Sequence, residues 1–383
     1  MIVSKPLNYL AILLFGIIIT LPSITTLIAF EFTTPLQENR TKVSFPETLE
    51  CVKNMNLDVC HRHLNDWFND NYAPRDLFIK LQTQIDYTLF SSSDKVHIGD
   101  DDWLFYRSTL DTQKIVNERV TDDEFTELLT KFDNLSKALS AKNIRLAIIP
   151  IPLKDTVYPE HLPSSVPNLP VNSRYKKLQK WLAEHDTIIN IDAHEFLSKT
   201  KEQQRVFHKT DFHWNDPTGF KFAEALTNKL WQNQEGSLEN IWTDTLSIRT
   251  ADLSGGQASF LPLLVPPSEV GLFVKMNWKP TKGVYDYSPA KPWEYIYDGT
   301  NETRAKLGHT VVLSDSFYDA FIRSGFEKYF KSIHRTRTLS SDINTVIANM
   351  PLETEIVIIE FIEVDIARLA QNGFGDEPTH TTN

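Results

Sequence analysis

Apolar and polar positions along the chain separate into helical stretches and short runs that are apolar on both faces. Leu7 to Phe30 contains no charged residue and is long enough to cross a bilayer as a helix, which takes roughly 20 apolar residues. Asp66 to Phe90 reads as one helix, with Leu77, Ile85 and Leu89 on its apolar face and Trp67, Phe68 and Tyr72 at its start. Val96 to Gly99, Asp100 to Asp102 and Trp103 to Tyr106 read as strand, turn and strand. Thr121-Asp122-Asp123-Glu124 is a capping box, opening a helix with Phe125, Leu128, Leu129, Phe132, Leu135 and Leu139 at helical spacing. Buried strands are predicted at Ile144 to Pro150, Thr187 to Ile191, Val311 to Leu313 and Glu355 to Phe361. Helices are predicted at Tyr175 to His185, Thr218 to Leu230, Phe317 to Phe330 and Asp342 to Met350. Short apolar strands alternating with helices predict an α/β fold with a parallel sheet covered on both faces. Residues 235 to 305 break the alternation. They are rich in Pro, Trp and Tyr, include Asp252-Leu253-Ser254-Gly255-Gly256, and read as an insertion or β-rich cover. The expected organisation is an N-terminal apolar segment (1–30), a linking segment (31–94), a main domain (95–370) and a polar, disordered tail (371–383).

With 383 residues and 41% hydrophobic content, the chain can build one large core and a smaller attachment. The formal net charge is -11 and no run of Lys or Arg forms a basic patch, which excludes nucleic acid as a partner. Pro22, Ser23, Thr25 and Thr26 dilute the second half of the apolar segment. A cleaved signal peptide is the competing reading, with Leu10 to Ile19 as its core and a cut after Ala29, but Leu27 then occupies a position that prefers a small residue. An uncleaved anchor is favoured. Either way the remainder lies outside the cytoplasm, in keeping with Lys5 ahead of the span. The two cysteines, Cys51 and Cys60, suit a disulfide in an exported chain. A zinc site from Cys51, Cys60, His61 and His63 is the alternative.

The chemistry concentrates in two places. Val311-Val312-Leu313-Ser314-Asp315-Ser316-Phe317 reads as a strand breaking into a turn, with Ser316 at the mouth of the next helix. Ligands of such sheets bind at the carboxyl ends of strands. There a serine can offer its hydroxyl as nucleophile and its N–H to a developing oxyanion. Asp211-Phe212-His213-Trp214 supplies the rest: His213 as base, and Asp211 to fix its tautomer. Taken singly, Ser316 is an N-cap, His213 a packed or capping histidine and Asp211 a loop carboxylate. His208, Asp211 and His213 could instead bind a metal. Asp315 could cap the helix or replace Asp211.

Asp211-x-His213-Trp214 with Pro217 and Gly219, followed by Ser314-Asp315-Ser316-Phe317, resembles the AlgJ/AlgX-type SGNH-like O-acetyltransferases, in which the Asp-x-His motif precedes the serine. Asp102-Trp103-Leu104-Phe105-Tyr106 is similar to that family's Gly-Trp-Leu-Phe strand. Ile149-Pro150-Ile151-Pro152 with Lys154, Tyr158 and Pro159 is similar to its Pro…Lys…Tyr-Pro segment. The resemblance runs from about 95 to 365. Ser314 departs from it, standing where related chains often have Gly. It implies an SGNH-like sheet with permuted motif order and a triad of Ser316, His213 and Asp211. It further implies acetyl transfer to an exported polysaccharide through an acetyl-serine, on the outer face of the cell membrane. No metal or organic cofactor is required, and a multipass membrane protein would supply the acetyl group. The rivals are an acetylesterase with the same triad and a non-catalytic glycan-binding scaffold. Some relatives carry a carbohydrate-binding module. Here the candidate glycan grip is Trp278, Tyr285, Tyr287, Trp293, Tyr295 and Tyr297, with packing against the sheet as the alternative.

Overall fold

The short apolar runs at 145–151, 311–313 and 356–362 become the middle of a six-stranded sheet. The computed structural model describes residues 5–36, 41–45, 57–110, 120–166, 172–232, 247–275, 293–299, 307–337 and 342–374. The chain divides into one unit of residues 1–93 with 259–266, and a second of 94–258 with 267–383.

In the first unit, α1 (Lys5–Leu27) contains the apolar stretch Tyr9–Thr26, of mean hydropathy 2.0. At 1.5 Å per residue the helix is about 35 Å long, enough for a hydrocarbon core. Pro22 sits inside it, and the Thr26 hydroxyl donates back to the Pro22 carbonyl (2.7 Å). The single helix expected over 66–90 is two, α2 (Leu57–Asn71) and α3 (Arg75–Phe90). They part at Tyr72-Ala73-Pro74, because the proline ring disfavours helical geometry in the residue before it. The expected apolar face of this stretch is not core: Ile85 and Leu89 are exposed. Cys60, on α2, is disulfide-bonded, and Cys51 lies outside the described residues.

The second unit opens with the antiparallel pair β1 (Val96–Ile98) and β2 (Leu104–Tyr106). Helix α4 (Asp122–Ser140) begins at the expected capping box, with both reciprocal hydrogen bonds between Thr121 and Glu124 formed. Then come β3 (Arg145–Ile151), α5 (Arg174–Ala183), β4 (Ile188–Ile189), α6 (Ala193–Lys201) and α7 (Asp216–Trp231). The stretch expected to be a β-rich cover contains the antiparallel hairpin of β5 (Ser247–Leu253) and β6 (Glu269–Lys275). The chain continues through β7 (Tyr295–Asp298), β8 (Leu307–Ser314), α8 (Asp319–Ser324), β9 (Phe330–Arg337), α9 (Ile343–Ala348), β10 (Thr354–Ile362) and α10 (Asp365–Gln371).

The main sheet runs β4-β3-β10-β8-β9-β7. Its first five strands are parallel, as expected, but β7 pairs antiparallel with β9, so the sheet is mixed. One side buries Ala147, Ile149, Val312, Ile356 and Ile358, and the other buries Leu146, Ile148, Val311, Leu313, Val357 and Ile359. The helix expected over 317–330 ends at Ser324. Gly325 adopts φ 79°, a left-handed cap that glycine takes at little cost, and the freed chain becomes β9. Phe374 packs beside Phe132 in the core, so the order extends past the expected end of the domain at 370, and 375–383 lie outside the described residues.

Candidate active site

Three parallel strands end together: β3 at Ile151, β8 at Ser314 and β10 at Ile362. Ser316 lies two residues past the end of β8, on a single 3₁₀ turn that leads into α8. Its neighbour Asp315 is the element that holds this turn. The Phe317 N–H donates to Asp315 Oδ1 (2.7 Å), the Ile362 N–H donates to Oδ2 (2.8 Å), and the Asp315 N–H donates to Glu360 Oε2 (2.9 Å). Asp315 is therefore a cap that ties the serine turn to the end of β10, and not a substitute for Asp211. Arg335 completes the support. It donates to Ser314 Oγ (2.8 Å), to the Asp315 carbonyl (2.7 Å) and to Asp319 Oδ1 (2.8 Å). Ser314, the departure from the Gly of related chains, fits because no residue of the 314–316 turn is left-handed and its hydroxyl is used.

Burial raises the pKa values of both Asp315 and Glu360. Glu360, also facing the charge of Asp315, is pushed well above the carboxylate range and holds the proton. A carboxyl that keeps its proton in the folded state favours unfolding progressively as pH rises above its unfolded pKa. Glu360→Gln preserves an acceptor for the Asp315 N–H without a titrating group. We expect it to fold and to lose part of the decline in stability that sets in as pH rises above the ordinary glutamate pKa of about 4.3. Denaturant midpoints at several pH values check this; a Gln variant with the wild-type slope would contradict it.

The second half of the site comes from the loop between Phe207 and Trp214, which closes on itself by a β-bridge between those two residues. Asp211 Oδ1 accepts from the His213 N–H (2.9 Å) and from His213 Nδ1 (2.8 Å), and Asp211 Oδ2 accepts from the Gly256 N–H (2.6 Å). Burial alone would raise the Asp211 carboxyl, but the hydrogen bonds from His213 and Gly256 outweigh it and hold it well below the usual range. With Nδ1–H given to this carboxylate, Nε2 is the free acceptor, and it lies 2.8 Å from Ser316 Oγ. Ser316, His213 and Asp211, named from the sequence, thus stand in one hydrogen-bonded line, although His213 and Ser316 are 103 residues apart.

Trp214 locks the two halves together. It is buried, its indole N–H donates to the Phe317 carbonyl (3.2 Å), and its ring meets Phe317 edge-on at 5.4 Å. Phe317 also packs against Phe207, Phe212 and the His213 ring. Asn215 caps α7 by accepting from the Thr218 N–H (3.1 Å). Gly219 then lets α7 pass close to α8: a Cβ there would stand 2.4 Å from that of Ala320. The Asp-x-His-Trp…Gly pattern is as much a packing device as a chemical one.

The metal alternative does not match this geometry. Both ring nitrogens of His213 are engaged, and the His208 ring is directed toward Glu269, 4.0 Å from its carboxylate. Among the described residues no group of three His, Cys, Asp or Glu side chains converges as a metal site. Cys51 of the zinc alternative lies outside those residues. The proposed glycan grip is corrected in part. Trp293, Tyr295 and Tyr297 are buried against the sheet and cannot stack on a sugar, and Trp278, Tyr285 and Tyr287 lie outside the described residues.

Ser316 and His213 open into a cavity of about 430 Å³, bordered also by Arg249, Phe273, Asp319 and Arg323. Arg323 is paired with Asp216 (2.8 Å), and the Arg249 guanidinium lies over the Phe273 ring. Sequence reasoning missed much of the frame. Gly255, Gly256 and Gln257 form a strap across the 210–211 loop: Gly255 N–H donates to Thr210 Oγ1 (3.0 Å) and Gln257 N–H to the Thr210 carbonyl (3.0 Å). The paired glycines were the visible signal, since a Cβ on Gly255 would stand 2.7 Å from the Asp211 nitrogen.

A family model described as SGNH hydrolase-like domain, acetyltransferase AlgX, matches residues 96–267. That segment is similar to the SGNH hydrolase-like acetyltransferase domain of AlgX. The AlgX match takes in Asp211 and His213 and ends before Ser316, which joins them through the fold. The probable alginate O-acetylase AlgJ of Pseudomonas syringae pv. tomato is 26% identical over 199 residues, covering 51% of this chain and 49% of that protein. Its counterpart from Pseudomonas aeruginosa is 26% identical over 204 residues, covering 51% and 49%. The chain therefore spans about half the length of these curated relatives. The structure of Bacillus cereus PatB1 superposes with a TM-score of 0.51 at 14% identity, covering 72% of this chain and 97% of that one. A structure of PatB1 with a sulfonyl adduct gives 0.52. These neighbours share the fold of this chain.

Proposed function

We propose that this chain is an O-acetyltransferase that modifies an exported polysaccharide, working through an acetyl-serine at Ser316. The observation that carries the reading is the line Asp211 Oδ1, His213 Nδ1, His213 Nε2, Ser316 Oγ, with 2.8 Å at each hydrogen bond. It opens to a cavity in a domain similar to that of AlgX. The AlgJ relatives, named as probable alginate O-acetylases, support a polysaccharide acceptor of that kind.

In the first half-reaction Ser316 Oγ attacks the acetyl carbonyl carbon while His213 Nε2 takes the hydroxyl proton. The C–O bond to the donor's leaving group then breaks and His213 returns the proton to it. The Phe317 N–H is held by Asp315, so the N–H of Ser316 itself is the donor at this turn that meets the oxyanion. In the second half a sugar hydroxyl attacks the acetyl-serine, gives its proton to His213, and Ser316 leaves with that proton. Asp211 stays ionised, holding the tautomer and stabilising the imidazolium.

Helix α1 is read as the anchor that keeps this domain at the outer face of the membrane, beside a multipass protein that hands over acetyl groups. Full-length protein in detergent, incubated with p-nitrophenyl acetate and a panel of oligosaccharides, tests the reading by intact mass. Acetyl first on Ser316 and then on sugar supports it. Acetyl passing only to water, whatever the acceptor, replaces transfer with the esterase reading. No adduct dependent on Ser316 sinks the catalytic reading and leaves a scaffold. Asp211→Asn is expected to lose less than His213→Ala, by roughly tenfold or more, because the acid orients and does not exchange protons with substrate. Rates with p-nitrophenyl acetate check the order, and a larger loss in Asp211→Asn contradicts it.

A further inference from the structure

We propose that Lys154 is a positioning residue, whose ammonium group gathers main-chain carbonyls of the 208–211 loop and so presents Asp211 and His213 to Ser316. Lys154 lies just past the end of β3, on a helical turn of residues 154–157. The turn is fixed from β10's side by Glu363, which accepts from the Leu153 N–H (3.2 Å) and from the Thr156 hydroxyl (2.8 Å). Only 2% of Lys154 is exposed. Its Nζ donates to the carbonyls of His208 (3.2 Å), Lys209 (3.0 Å) and Asp211 (2.7 Å), and to Gln257 Oε1 (2.5 Å). These acceptors are the loop that carries the Asp-x-His motif and the strap that crosses it. Beneath lie Trp103 and Phe105, with their ring centroids 5.7 and 5.4 Å from Nζ.

The arrangement is built for a cation. Four neutral oxygens surround the nitrogen and no carboxylate touches it, so the charge is met by peptide dipoles and ring faces. An ammonium has three N–H bonds to share among four acceptors. A neutral amine has two and turns a lone pair toward one of the oxygens. Losing the proton therefore loosens the hold on the loop, and with it on the carbonyl of Asp211. A shift of about 1 Å in the base is enough to cost about 100-fold in rate.

The charged and titratable groups that face Lys154 come from several elements: Asp155 on its own turn, Arg205, His208 and Asp211 from the 205–211 segment, and Glu269 from β6. Burial pushes the Lys154 pKa down to about 7, against the opposing charges of Asp211, Glu269 and Asp155. The loop is then fully held below that pH and loosened above it. A lysine of ordinary pKa would hold it to pH 10 or so.

The activity arm of the test rests on Ser316 being the nucleophile, so a second readout is independent of it. In the first, full-length protein in detergent is treated with phenylmethylsulfonyl fluoride, and the sulfonylation rate at Ser316 is followed by mass spectrometry from pH 6 to 9. Wild type is expected to slow above about pH 7. Lys154→Arg, whose charge persists, is expected to keep its rate across the range, and Lys154→Met to be slower by about 100-fold at every pH. In the second, amide hydrogen exchange over residues 208–213 is expected to rise at least about tenfold in Lys154→Met with the core strands unchanged. Wild-type labelling that does not fall with pH, or Lys154→Met that labels and exchanges as wild type does, overturns the proposal. If Lys154→Met fails to fold, the wild-type and Lys154→Arg pH profiles decide. If wild type is never labelled at Ser316, the functional reading fails while the exchange measurement still decides the role of Lys154.

Discussion

Ser316→Ala is expected to lower acetyl turnover by about 1,000-fold or more while the protein remains folded. The hydroxyl is partly exposed to the cavity, and its hydrogen bond is to His213 Nε2. The turn that carries it is held by Asp315, Glu360 and Arg335, none of which uses the serine side chain. Removing one oxygen atom would therefore delete the proposed nucleophile and little else. His213→Ala is expected to be comparably damaging, since a serine hydroxyl without a base is a poor nucleophile at neutral pH. The sharper expectation concerns the double variant. If the two groups act in one proton transfer, Ser316→Ala with His213→Ala is hardly slower than either alone, because the second loss removes something already idle. Turnover of p-nitrophenyl acetate, with thermal midpoints to establish folding, measures all three. A folded Ser316→Ala protein with full activity, or losses that multiply in the double variant, would end the triad reading.

Gly255→Ala is expected to cut acetyl turnover by about 100-fold. Its Cβ would stand 2.6 Å from Asp211 Cβ, 2.7 Å from the Asp211 nitrogen and 2.7 Å from the Thr210 carbonyl carbon. Two of those neighbours are backbone and cannot swing aside. The strap must lift, which withdraws the Gly256 N–H from Asp211 Oδ2 and frees the carboxylate to turn from His213. A displacement of that kind costs about 100-fold in rate, with substrate affinity much less affected. Gly256→Ala is the control. Its Cβ would meet the Asp211 carboxylate alone, with Oδ2 at 3.2 Å and Cγ at 4.0 Å, and a side-chain oxygen can give by a few tenths of an ångström. We expect a loss below about tenfold there. Equal effects from the two substitutions would show that the strap does not position Asp211.

The sequence made the sheet legible because β3, β8 and β10 are runs with no polar face to place, and such strands belong in the middle of a covered parallel sheet. It made Ser316 legible because a serine after such a run falls at the carboxyl end of a strand. It did not disclose β9. Phe330-Lys331-Ser332-Ile333-His334-Arg335 mixes polar and apolar residues, and its burial is set by the partners on either side, not by its own hydrophobicity. Lys154 and Gln257 were invisible as site residues for a similar reason. A buried lysine is recognisable only once the carbonyls around it are in place, and those come from residues more than 50 positions away. Trp293, Tyr295 and Tyr297 could be read either way because Tyr and Trp serve equally in strands and in sugar clefts; Tyr295 hydrogen-bonds Glu327 in the interior (2.6 Å).

Among the described residues, the strand that comes last in sequence is also one of the most central. β10 lies between β3 and β8, with Ile356 opposite Arg145 on one side and Thr310 on the other. The sheet cannot close between β3 and β8 until β10, which follows both in the chain, is available to pair with them. Pairings between such distant stretches form slowly, and the unfilled groove between β3 and β8 exposes two apolar strand edges in the meantime. A chain interrupted before Thr354 would lose both the Glu360 and Ile362 ties to the serine turn along with the middle of its core. A chain lacking β10 should therefore yield an aggregating product and no partially active fragment.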